Sequence, residues 1–93
     1  MQLQRQYNVL LIGDSCTDEW AYGSCDRLSP EAPIPVMKFR EHQSAPGMAA
    51  NVNQNLESLG INVNFLTNRE KIVKTRYVDE KSNQQIMRLD TEP

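Results

Sequence analysis

Short apolar stretches separated by polar breaks run along the chain, and this pattern predicts mainly β-strands. Each stretch has five to seven residues, and most contain several β-branched or aromatic residues, often at alternate positions, which is typical of strands in a sheet. The polar run 79–83 between the last two stretches predicts a hairpin loop. The predicted strands are Asn8–Ile12, Thr17–Gly23, Ile34–Phe39, Ile61–Leu66, Val73–Asp79 and Gln85–Asp90.

One segment has helical spacing instead. Its apolar positions recur three or four residues apart, which predicts a helix over 48–59 with one apolar face. A Pro-Gly turn is predicted at 46–47, and Gly60 fits the position after a helix C-terminus. We expect the apolar face to be buried against the strands Asn8–Ile12 and Ile61–Leu66. The face consists of Ala49, Val52, Leu56 and Leu59.

Length and composition are typical of one soluble α/β domain. The 93 residues are 39% hydrophobic and 24% charged, with a net charge of −2, so there is no basic excess for nucleic acid. No apolar run approaches the roughly 20 residues of a membrane span. The apolar run Val9–Ile12 is too short for a signal peptide. We therefore expect a cytoplasmic protein that binds neither nucleic acid nor membranes.

The cysteines and the histidine give little support for metal or hydrolase chemistry. Cys16 and Cys25 fit two reduced thiols, and a zinc site would need more ligands than these two and one histidine supply. His42 lies between two polar residues, which predicts a solvated surface position. We therefore expect no metal and no cofactor.

Candidate ligand contacts lie at two places in the chain. Asp14 and Asp18 follow the first predicted strand, where open α/β sheets bind ligands, and carboxylates accept hydrogen bonds from sugar hydroxyls. The helix N-terminus after Gly47 has free N–H groups that suit a hydroxyl-rich or anionic ligand. The alternative is that both aspartates and Gly47 are turn residues and that Asn51 is a solvated helix position.

Five segments carry motifs of a known family. They are GDSCTD (13–18), RLSPEAPIPV (27–36), PGMAANV (46–52) and the pair KTR and NQQIMRLD (74–76 and 83–90). Together they resemble the ribokinase-like (PfkB) carbohydrate kinases, and within them the heptose-7-phosphate kinase domain of bifunctional ADP-heptose synthesis enzymes. The similarity touches nearly the whole chain.

The resemblance implies a single truncated kinase-like domain over 1–93. Lid strands at about 17–40 and 72–90 would form a small sheet, a β-clasp, that covers the sugar, beside a strand-helix-strand unit at about 8–14 and 46–67. Asp18, with Asp14 beside it, would contact the sugar, as would Gly47 and Asn51. In several members of the family the lid also pairs with the lid of a second subunit.

The chain also departs from the family pattern. The second glycine of the sugar-binding turn is Met48, whose side chain would crowd the sugar, or force a different backbone angle if φ in the family is positive. The arginine expected before the turn is Ala45 or Ser44. A helix and a strand of the family are absent between Asn68 and Arg69. The family's ATP pocket and catalytic base follow the segment that ends at Asp90, so no catalytic residue and no independent kinase activity are expected.

Several functions fit these observations. The first hypothesis is a lid-type interaction module that forms a homodimer through the lid sheet or caps a full-length kinase partner. In the homodimer, Trp20 and the strand Ile34–Phe39 would lie between the subunits. The alternative is a module that binds a sugar or sugar phosphate, with Lys74, Arg76, Arg88 or Arg27 near the phosphate. Two further alternatives remain. The chain is one half of a split sugar kinase that uses Mg-ATP when a second polypeptide supplies the missing half, or it is a piece of a longer gene product.

Overall fold

The structure, a computed structural model, describes residues 7–93, which form two β-sheets and one helix. Over these residues it confirms the expected α/β fold with six strands and one main helix. In chain order the elements are β1 (Asn8–Ile12), β2 (Ser15–Leu28), β3 (Pro35–Met48), α1 (Ala49–Ser58), β4 (Asn62–Leu66), β5 (Val73–Asp79) and β6 (Gln84–Thr91).

The smaller sheet pairs β1 with β4 in parallel, from Asn8 opposite Asn62 to Ile12 opposite Leu66. Helix α1 contacts both strands, as predicted, and alternate side chains of the two strands are half-buried. The intervening apolar side chains, among them Leu10, remain exposed. Parallel sheets are normally covered on both faces. In this sheet, by contrast, one face is uncovered within residues 7–93.

The larger sheet has the strand order β3-β2-β5-β6. Strand β2 pairs antiparallel with β3 and parallel with β5, while β5 and β6 form an antiparallel hairpin. Hydrogen bonds near the start of β2 connect this sheet to the segment after β4 and to the start of the helix. Ser15 N donates to Asn68 Oδ1 (2.7 Å), and Ala49 N donates to the carbonyl oxygen of Asp14 (3.0 Å).

The turn predicted at Pro46-Gly47 is wrong, because both residues belong to strand β3. Pro46 lies opposite Thr17 and Gly47 opposite Cys16 in the antiparallel ladder. Strand β3 lies at an edge of the sheet, where the missing N–H of a proline is tolerated. Strands β2 and β3 each have 14 residues, about twice the predicted length, since their polar halves lack the apolar alternation that marks a strand.

The predicted helix is confirmed, with Met48 as N-cap and Leu59 as C-cap. Gly60 follows with φ 80°, and the main-chain bonds Gly60 N to Glu57 O (3.0 Å) and Ile61 N to Leu56 O (3.3 Å) complete a Schellman motif. Gly60 is therefore the residue after the helix C-terminus, as its position in the sequence indicated.

The expected burial of the helix face is wrong. No residue of α1 is fully buried: Ala49 and Leu56 are half-buried, while Val52 and Leu59 are 45% and 38% exposed. The physical reason is that α1 packs against a sheet of only two strands, which is too narrow to cover its whole apolar face.

The described residues contain very little hydrophobic core. Among them only Cys16 and Ala21 are buried apolar residues, and the molecule is flat and elongated, at 61 × 31 × 15 Å. No helix in residues 7–93 has the length and apolarity that a membrane crossing requires. Much apolar surface therefore remains in contact with water.

Candidate functional site

One face of the larger sheet carries most of the residues that the sequence singled out. Alternate residues of a strand point to the same side, so Cys16, Asp18 and Trp20 of β2 share this face. The ladder places Lys74 beside Asp18, and Arg76 beside Trp20. We call this surface the Asp18 face. It consists of Cys16, Asp18, Trp20, Gly47, Lys74, Arg76, Arg88 and Asp90.

Asp18 is fixed by the strands on both sides of it. Arg76 Nη1 donates to Asp18 Oδ1 over 2.9 Å, and the two side chains are 25% and 22% exposed. On the other side, a Cβ atom at Gly47 would lie 2.4 Å from Asp18 Oδ2 and 2.7 Å from Cys16 Sγ. Glycine is therefore required at position 47, because any side chain there would displace the carboxylate.

The Asp18 face includes a buried thiol next to the Asp18 carboxylate. Cys16 is 7% exposed, and its Sγ lies 3.9 Å from Asp18 Oδ1. Burial, together with the nearby Asp18 charge, raises the pKa of the Cys16 thiol above its ordinary value. The thiol is therefore uncharged at neutral pH and fills space beneath the carboxylate.

Two further cations lie beside Arg76. In the β5–β6 ladder Arg88 lies directly opposite Arg76, and Asp90 lies opposite Lys74. Arg88 Nη2 donates to Asp90 Oδ2 over 2.8 Å. The face therefore holds three cations and two carboxylates, a net excess of one positive charge.

Met48 keeps a positive φ, so the methionine has not forced the different backbone angle that the sequence led us to expect. Met48 is the N-cap of α1 with φ 54° and ψ −130°, a conformation that suits glycine, and its side chain makes no capping hydrogen bond. Lys74 Nζ contacts its Sδ at 3.7 Å. The methionine therefore keeps the strained backbone and places a thioether at the margin of the Asp18 face.

Three of the sequence candidates lie outside this cluster. Asp14 is exposed and acts through its main-chain carbonyl, which accepts a hydrogen bond from Ala49 N at the start of α1. Asn51 is exposed in the first turn of α1. Arg27 lies near the far end of β2, nine residues from Asp18, which corresponds to about 30 Å along an extended strand.

Trp20 and Asp90 are members of the face that the sequence did not assign to a site. The Arg76 guanidinium carbon lies 5.4 Å from the centre of the Trp20 ring. Trp20 could have been found from the sequence, because it lies two residues after Asp18 and alternate residues of a strand point to the same side. Asp90 has no such local signal, because its place depends on the register of β6.

The opposite face of the same sheet carries a separate polar group. Glu19 Oε2 accepts a hydrogen bond from Thr75 Oγ1 (3.2 Å) and lies 3.3 Å from His42 Nε2. The His42 side chain is 46% exposed, which confirms the prediction of a solvated position. Across residues 7–93, no group of three or more His, Cys, Asp or Glu side chains is arranged to hold a metal ion.

Solved structures identify the class of fold. A carbohydrate kinase from Agrobacterium tumefaciens matches 91% of this chain with a TM-score of 0.55 at 10% identity. The ribokinase of Thermotoga maritima also matches 91%, with a TM-score of 0.52 at 14% identity. The chain spans 35% and 36% of these two proteins. Its fold is therefore that of part of a ribokinase-like carbohydrate kinase.

Curated relatives agree with this class. The bifunctional protein HldE of Aliarcobacter butzleri is 43% identical over 65 residues, and that of Hyphomonas neptunium is 55% identical over 53 residues. No family model matches the chain. The chain is therefore similar in sequence to one stretch of HldE and similar in fold to part of a ribokinase-like carbohydrate kinase. It spans only 14% and 11% of the length of these two relatives.

Proposed function

We propose that the Asp18 face binds a sugar or sugar phosphate. The observation that carries this proposal is the fixed Asp18 carboxylate, held between Gly47 and Arg76 on a face with excess positive charge. A half-buried carboxylate of this kind accepts hydrogen bonds from the hydroxyl groups of a sugar. The similarity to HldE and to carbohydrate kinases favours a carbohydrate over other polyhydroxylated ligands.

The arginines favour a phosphorylated sugar. Like charges directly opposite each other in a sheet destabilise it, yet Arg76 and Arg88 occupy such positions. A bound phosphate would offset this repulsion and accept charge-assisted hydrogen bonds from both guanidinium groups. Asp18 would then contact the hydroxyl groups while the cations of β5 and β6 contact the phosphate.

The proposed role of this stretch is binding rather than catalysis. Phosphoryl transfer requires a nucleotide site, charge stabilisation at the transferred phosphoryl group and a positioned base. We assign the groups of the Asp18 face to contacts with the sugar ligand. We assign none of them to binding a nucleotide.

Isothermal calorimetry with heptose and hexose phosphates tests the binding proposal. We expect binding by the wild type and an affinity about tenfold or more lower for Asp18→Asn, because hydrogen bonds to a charged group contribute about 1.5–3 kcal/mol. Glu19→Gln is the matched control, since Glu19 is the neighbouring carboxylate on the opposite face. The absence of heat with every sugar phosphate, or equal losses in both variants, would contradict the proposal.

A second candidate function, a dimeric lid-type module, is favoured by the exposed apolar surface of the opposite face. Phe39, Met87 and Leu89 lie on that face and are 61%, 52% and 48% exposed. Strands β3 and β6 are the edges of the sheet. Such edges and apolar side chains are suited to pairing with an identical chain.

A further inference from the structure

We infer that Trp20 is a positioning residue that holds Arg76 ready to bind the phosphate of the proposed ligand. The inference rests on the proposed function and adds a residue to it. Trp20 and Arg76 are neighbours across the parallel β2–β5 ladder, and the guanidinium carbon lies 5.4 Å from the ring centre. This distance is within the range of a cation–π interaction.

Arg76 is held from two directions by different kinds of contact. Asp18 accepts one hydrogen bond from Nη1, while the guanidinium carbon lies over the Trp20 ring. A contact with the face of a ring uses no N–H group in a hydrogen bond to a carboxylate, so the remaining donors of Arg76 are able to bind an anion. A second carboxylate in place of the ring would fix the arginine equally well. The group formed by Arg76, Asp18 and that second carboxylate would then have a net negative charge.

Arg40 shows the contrasting arrangement in the same chain. Its Nε donates to Glu80 Oε1 (2.6 Å) and its Nη2 to Glu41 Oε2 (2.9 Å), so two carboxylates surround one guanidinium. The Arg40 guanidinium is therefore a structural bridge, and the two carboxylates carry more negative charge than its single positive charge. Arg76 has one carboxylate and one ring, and it lies opposite the positive charge of Arg88, which would push an unsupported Arg76 side chain away.

The substitution Trp20→Leu tests this role. We expect roughly three- to tenfold weaker binding of glucose 6-phosphate, measured by two-dimensional NMR titration, and unchanged binding of glucose, because only the phosphate contact depends on Arg76. Trp20→Phe retains a ring and should recover most of the affinity. Tyr22→Leu is the matched control, since Tyr22 is the next residue of β2 on the same side. Thermal melts check that each variant is folded.

A second measurement tests the contact without any ligand. Trp20 is the single tryptophan of the chain, so the emission reports on the surroundings of this one ring, which include Arg76. We expect Arg76→Gln to change the emission and Arg88→Gln to leave it unchanged.

The outcomes separate the two proposals. If the wild type binds glucose 6-phosphate and folded Trp20→Leu binds it equally well, the role of Trp20 is overturned while the binding function stands. Equal losses for glucose and glucose 6-phosphate also overturn the role, because they indicate a general structural effect. If the wild type binds no sugar phosphate of any kind, the binding function fails and the inference fails with it.

Discussion

At the scale of single residues, Met48 is the clearest conflict between side chain and backbone. Its φ of 54° and ψ of −130° are readily adopted only by glycine, and a non-glycine residue in such a region costs about 1–3 kcal/mol. We expect Met48→Gly to raise the free energy of unfolding by about 1 kcal/mol, since the lost contact with Lys74 offsets part of the relief. Urea denaturation at fixed protein concentration measures the change.

Asn83 provides the control for this substitution. It is the other non-glycine residue with positive φ in residues 7–93, at 55°, but asparagine tolerates the left-handed region far better than methionine. Asn83→Gly should therefore gain less than Met48→Gly. Equal effects in the two variants would show that the backbone at Met48 is not strained.

The residues of the Asp18 face show what the sequence can and cannot predict. Asp18 and Gly47 were found through family motifs, whereas the reason for Gly47, which is the space taken by the Asp18 carboxylate, depends on the β2–β3 register. Asp90 was missed because cross-strand neighbours are set by pairing, which a single strand does not specify. Trp20 lies two residues after Asp18 on the same strand, so only its contact with Arg76 depended on that pairing.

At the scale of elements, the most testable feature is the end of helix α1. Gly60 has φ 80° in the Schellman motif, and a Cβ atom in the left-handed region costs about 1–2 kcal/mol. We expect Gly60→Ala to lower the free energy of unfolding by about 1 kcal/mol, measured by chemical denaturation. Gly60→Asn is the matched comparison and should lose less, because asparagine accepts positive φ. Similar losses for both would contradict the importance of the backbone angle.

Strands with a clear local pattern of apolar residues could be predicted from the sequence, and strands without one could not. Strands β1, β4, β5 and β6 were predicted to within one residue at each end, since each is a short stretch that contains apolar residues and is bounded by polar or glycine-containing segments. The second half of β3 was not, because residues 42–47 are polar or contain Pro and Gly, and only pairing with β2 makes them a strand.

At the scale of the whole molecule, the main difference from expectation is the missing burial. The sequence predicts which side of α1 is apolar, but burial also requires a second layer wide enough to cover it. Leu56 is only half-buried, so truncation to alanine should cost less than the 2–5 kcal/mol typical of a core leucine. The apolar side chains of the larger sheet are exposed for the same reason.

This exposed surface leads to the expectation of a homodimer. A small domain with so few buried apolar residues gains stability by association, and a two-fold dimer would bring two identical apolar faces together. We place the interface on the face opposite Asp18, which carries Phe39, Met87 and Leu89, rather than on the face that carries Trp20. Such a dimer leaves the Asp18 face free for its ligand.

Light scattering of two charged variants tests this arrangement. The wild type should have twice the chain mass at micromolar concentration, with a melting temperature that rises with protein concentration. Met87→Lys should dissociate and destabilise the dimer, because it places a charge within the proposed apolar interface. Gln85→Lys adds the same charge to the same strand on the Asp18 side and should remain dimeric. A monomeric wild type whose melt is independent of concentration would refute the dimer, and dissociation by Gln85→Lys alone would move the interface to the Asp18 face.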